Sequence, residues 1–175
     1  MQEKTKKILK RSAFATIAAG ALVVVFLTFK RNVKEEDAEK YLSPYFTIND
    51  MFRSSTATKL GIDNTTTDKN VIMNIKTLFM KVLDPLRKAY GNPFSITSGY
   101  RTKAVNDAVG GSSKSQHTKG EAADIDAGSK SENQKLYNLI KQMGEYDQLI
   151  NENDFSWVHV SYKRVGYNRR QAFKQ

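Results

Sequence analysis

Residues 146–162 read YDQLINENDFSWVHVSY, and the way this stretch pairs with itself decides the fold. Two runs, YDQLINE and SWVHVSY, flank Asn153, Asp154 and Phe155, so the stretch reads as an antiparallel hairpin closed by a short turn. In the second run, alternation puts Trp157, His159 and Ser161 on one face and Val158 and Val160 on the other. The valines then face a core. A histidine between a tryptophan and a serine suits the wall of a cleft better than a second core.

Upstream of the hairpin, helix and strand signals mix. A capping box from Ser131 to Gln134 opens a helix that carries Leu136, Leu139, Ile140 and Met143 on one face and stops at Gly144. AADIDA, residues 122–127, reads as a strand, and so does FSITSGY, residues 94–100. Between them a short helix over 102–109 ends at Gly110 and Gly111, the first supplying the left-handed cap. Before these, Val71, Ile72, Ile75, Leu78, Phe79, Val82, Leu83 and Leu86 recur at helical spacing after Thr67 or Asp68 as cap. Gly91, Asn92 and Pro93 end that helix. The predicted class is α+β, a small central antiparallel sheet with flanking helices, and the basic tail KRVGYNRRQAFKQ reads as the end of the domain.

Residues 13–29, AFATIAAGALVVVFLTF, form a run of 17 without a charge, at the lower end of what crosses a bilayer as a helix. The run is apolar or small all round, unlike a core helix with one polar face. It ends in Phe26, Leu27, Thr28 and Phe29 rather than in a small-residue cleavage site. The expectation is therefore an uncleaved single-pass anchor in contact with a lipid bilayer. The organisation is a basic segment over 1–12, the anchor over 13–29, a charged linker over 30–40 and one domain over 41–175. Lys6, Lys7, Lys10 and Arg11 before the run favour a cytoplasmic N-terminus with the domain outside.

A formal charge of +10 invites a nucleic-acid reading, but its distribution argues against one. Residues 1–37 hold eight basic and four acidic side chains, and residues 163–175 hold five basic and none acidic. The remaining fifteen basic and fourteen acidic groups leave residues 38–162 near neutrality. No nucleic-acid partner is expected. The absence of cysteine excludes thiolate metal sites, thiol nucleophiles and disulfides.

The chain has two histidines, His117 and His159. With Asp124 they make two imidazoles and one carboxylate, donor types that a catalytic zinc takes while leaving a fourth position for water. Gly120 can turn the chain between His117 and Asp124, and Ala122 and Ala123 leave room beside them. Asp126 shares a strand face with Asp124 and is an alternative. If Asn153 pairs with Ser156, then Glu152 opposes Trp157 and Ile150 opposes His159, which sets Glu152 diagonal to His159 at roughly 7–8 Å.

SGYRT, VNDAVGGSSKSQHTKGEAADIDA, DQLINE and WVHVSY, in that order, resemble the M15 family of zinc D-Ala-D-Ala peptidases, in particular the M15A-like branch of bacteria and their phages. The pattern S-x-H-x-x-G-x-A-x-D is met by Ser115, His117, Gly120, Ala122 and Asp124, and W-x-H by Trp157 and His159. The resemblance implies the D-Ala-D-Ala peptidase type of α+β fold and a Zn2+ cofactor held by His117, Asp124 and His159. It also implies a peptidoglycan peptide as substrate, Arg101 on the substrate carbonyl or oxyanion, and substrate contacts from Ser115 and Trp157. In well-known members the general base lies three residues before the last histidine, where this chain has Ser156, and serine cannot act as that base. LINE resembles the branch with a glutamate at this place, so Glu152 is the expected base and Asp154 the second choice. The expected function is membrane-anchored, zinc-dependent hydrolysis of peptidoglycan stem peptides, in a cell envelope or in the membrane of a phage particle. The alternative is a non-catalytic envelope or phage component that keeps the fold.

Overall fold

The computed structural model describes residues 42–175; the expected anchor and linker lie outside them. No helix among the described residues is long and apolar enough to cross a membrane. Two short helices, α1 (Ile48–Phe52) and α2 (Ser55–Leu60), lead to α3 (Lys69–Leu78), whose cap is Asp68 accepting from Asn70 N–H. The helix continues through a π turn, Phe79–Leu83, into α4 (Asp84–Tyr90). Pro85 accounts for that turn: it has no N–H, and its ring crowds the carbonyl four residues back. The widened turn keeps Ile75, Leu78, Phe79, Val82, Leu83 and Leu86 buried in one core.

β1 (Ser95–Ser98), α5 (Lys103–Ala108), a 3-10 turn (Gln116–Lys119), β2 (Ala122–Asp126), α6 (Lys130–Met143), β3 (Gln148–Glu152), β4 (Trp157–Ser161) and β5 (Gln171–Lys174) complete the chain. The sheet order is β1-β2-β4-β3-β5. The hairpin has the expected register, Ile150 opposite His159 and Glu152 opposite Trp157. Ala123, Ile125, Leu149, Val158 and Val160 turn to the helices and are fully buried, while the other face of the sheet is left for a cleft.

Two sequence expectations are corrected. The sheet is mixed rather than wholly antiparallel, because the basic tail returns as β5 and pairs parallel with β3. The cap of α6 is Ser129, whose hydroxyl accepts from Glu132 N–H, rather than Ser131. Gly128 at φ 88° turns the chain one residue before that cap, so Ser131 falls inside the helix.

Candidate metal centre and cleft

Each donor of the His117, Asp124 and His159 set is placed by a local device. The hydroxyl of Ser115 accepts from His117 N–H at 3.3 Å at the start of the 3-10 turn, and Gly120 ends that turn at φ 69°. A side chain at Gly120 would also press on the Val71 carbonyl at 2.9 Å. β2 then presents Asp124 directly opposite His159 of β4. All three donors are buried.

His117 Nδ1 lies 2.7 Å from the Gly99 carbonyl. A carbonyl only accepts, so Nδ1 carries the proton and Nε2 presents a lone pair. That lone pair faces His159 Nδ1 at 3.2 Å and Asp124 Oδ1 at 3.3 Å, and the last two are 2.9 Å apart. One proton cannot satisfy three such atoms, whereas a cation can. Tetrahedral zinc with ligand bonds of about 2.0–2.1 Å spaces its ligands by roughly 3.3 Å, so the donor set fits that ion. Burial opposes charge on Asp124; positive charge on the His117 and His159 side, carried by protons on the rings when no cation is held there, outweighs burial and keeps the carboxyl well below the usual carboxylate range.

Gly99 is required by close approach: a Cβ there would stand 2.5 Å from the Met51 carbonyl oxygen and 2.7 Å from its Cα. Gly99→Ala must therefore shift the carbonyl that orients His117. The expected loss of metal affinity is about 10- to 100-fold by metal titration; unchanged affinity would rule out this orienting role.

The donors open into a cleft of about 660 Å³, whose lining includes Arg101, Ser115, Glu152, Trp157, Arg169 and Gln175. Arg101 Nη2 donates to the outer oxygen of Asp124 at 2.9 Å and Nε to Ser98 Oγ at 2.9 Å. Its remaining guanidinium N–H groups are not used in these two bonds. Ser115 and Trp157 stand in the cleft wall, and Glu152 lies beside Trp157. Burial pushes the Glu152 carboxyl up, Asp124 acts in the same direction, and His159 and His117 oppose them.

Asp154 and Asp126 are engaged elsewhere. Asp154 is exposed and pairs with Lys130 at 3.2 Å and Lys174 at 3.3 Å. Asp126 accepts from Gly128 N–H at 2.8 Å and Asn133 Nδ2 at 2.9 Å.

Sequence reasoning missed the support of the hairpin turn. Asn153, Asp154 and Phe155 all have positive φ, at 45°, 54° and 60°, which for Phe155 is strained. Fully buried Asn133 holds this turn, its Nδ2 reaching the carbonyls of Phe155 at 3.0 Å and Ser156 at 3.1 Å. Asn151 Oδ1 accepts Phe155 N–H from the other side. The only sequence signal was an asparagine on the inner face of a helix.

Acceptors that converge without enough protons, beside a desolvated carboxylate in an open cleft, have the chemistry of a metal-dependent hydrolase. The family comparison agrees, since a model described as Peptidase M15 matches residues 44–161. The chain belongs to the M15 peptidase family, which is generally zinc-dependent. No curated protein matches it.

Proposed function

We infer that the chain is a membrane-anchored zinc peptidase that hydrolyses peptidoglycan stem peptides, in a cell envelope or a phage-particle membrane. The observation that carries the peptidase chemistry is the convergence of His117 Nε2, Asp124 Oδ1 and His159 Nδ1 within 4.8 Å, in a cleft that Glu152 also lines. The anchor, the cytoplasmic N-terminus and the outside location of the domain rest on residues 1–31.

His117, Asp124 and His159 would hold the zinc, which would supply Lewis acidity and lower the pKa of water toward neutrality. Glu152 accepts a proton from the attacking water, whose oxygen bonds to the scissile carbonyl carbon. As the C–N bond breaks, Glu152 returns that proton to the departing amine. Arg101 is fixed by Ser98 and Asp124 and directs its free N–H groups at the oxygen on which negative charge develops. Ser115 and Trp157 shape the walls against the substrate.

The test uses the full chain in detergent, with metal content measured and fragments released from peptidoglycan identified by mass. One zinc per chain, cut stem peptides, loss of activity on chelation and its return with zinc are expected. A protein that binds no metal and releases nothing would instead fit a non-catalytic component of an envelope or phage particle.

A further inference from the structure

The strand pairing builds a straight row across the cleft face. Asp124 is opposite His159, His159 opposite Ile150, and Ile150 beside Phe173. Paired residues share a face, so the sheet face that carries two of the candidate metal donors continues through Ile150, which lines the cleft, onto Phe173 of β5, which stands beyond the cleft lining. Ala172, the neighbour on the opposite face, packs on the core, which fixes the direction of Phe173. Ile150 is 7% exposed and Phe173 40% exposed, so the outer half of this apolar strip is open. Gln148, Arg169 and Gln175 line the same end of the cleft. β5 and Arg169 follow residue 161, where the family match ends.

We propose that β5 supplies an additional peptide subsite, in which Phe173 takes an apolar part of the substrate about three residues from the scissile bond. Strands are about 4.8 Å apart, which sets Phe173 about 10 Å from His159, and an extended peptide advances about 3.3 Å per residue. The amides of Gln148 and Gln175 suit the peptide groups of such a chain. This subsite rests on the peptidase reading of the same cleft and adds a dependence on substrate length.

The test compares a three-residue stem fragment with the cross-linked dimer of two full stems, each also carrying its disaccharide. Affinity is read from the fluorescence of Trp157, the one tryptophan of the chain, and turnover is followed in parallel. The dimer is expected to bind about tenfold more tightly than the fragment. Phe173→Ala should remove that advantage through KM, leaving kcat, the short fragment and the melting temperature unchanged, and Phe173→Leu should restore most of it. Equal effects on both lengths, or no advantage of the dimer in the wild type, would overturn the subsite. An advantage that comes only with the disaccharide would overturn the peptide assignment in favour of a sugar. Absence of turnover defeats the peptidase reading alone, because the fluorescence titration still decides the subsite.

Discussion

Glu152→Gln is expected to lower kcat by about 10²- to 10⁴-fold while zinc content and folding stay intact. Glutamine keeps the shape of the side chain and removes only its capacity to accept and return a proton. The geometry favours Glu152 over Asp154. Glu152 is in the cleft and opposite Trp157, next to the strand position of His159, whereas Asp154 is spent on two lysines outside it. Ser156, at the place where well-known relatives carry the base, donates its hydroxyl to the Asn153 carbonyl at 2.8 Å. A base works only when ionised, so wild-type activity falls as pH drops through its pKa, and that acid limb should vanish from the residual activity of Glu152→Gln. Pre-steady-state and steady-state rates on a stem peptide, with zinc assayed on the same samples, check both points. Retention of more than about a tenth of the rate would remove Glu152 from the mechanism.

The donor set was legible because its elements are local and periodic. Alternation in WVHVSY fixes which way His159 points, and a glycine three residues after His117 allows the turn that brings β2 back beside β4. The hairpin register was legible too, since a one-residue slip would have turned Val158 and Val160 out of the core. Arg101 was harder to place. Its partner Ser98 faces Asp124 only through an irregularity of β1 between Ile96 and Ser98, and nothing in the spacing of SGYR announces it.

The parts that escaped reading depend on contacts remote in sequence. β5 is a four-residue edge strand with one residue, Ala172, against the core; QAFK carries no alternation that separates it from a polar tail. Besides its ladder to β3, its attachment relies on the Asp147–Arg169 pair, which is visible only once those two residues are brought together. The π turn follows from Pro85, which breaks an otherwise continuous apolar stripe by local geometry and not by polarity.

Asp147→Ala is expected to destabilise the domain by about 2–4 kcal/mol, a fall of roughly 10 °C in melting temperature. The side chain of Asp147 is completely buried, and it accepts from Arg169 backbone N–H at 2.9 Å, from Arg169 Nε at 3.1 Å and from Lys163 Nζ at 3.1 Å. Burial alone would raise its pKa, but Arg169 and Lys163 outweigh burial and lower the carboxyl from 3.8 to about 2. A carboxylate with a depressed folded pKa adds stability above its unfolded pKa and loses it as pH falls through the folded one. The hydrogen bonds and charges around the carboxylate, the Arg169 backbone N–H included, therefore contribute on the order of 2 kcal/mol at neutral pH, and this part fades between about pH 5 and pH 2. Denaturant midpoints of wild type and variant should converge over that window, whereas a gap equally wide at pH 2.5 and pH 7 would assign the effect to packing. Arg169 and Lys163 are 42% and 28% exposed, so both can return to water when Asp147 is removed. The tail then keeps its ladder to β3, the packing of Ala172 and the exposed Lys174–Asp154 pair, but loses its buried electrostatic anchor. On the peptide subsite proposed for β5, Asp147→Ala should also weaken the advantage of long substrates over short ones, because it loosens the anchor of that strand.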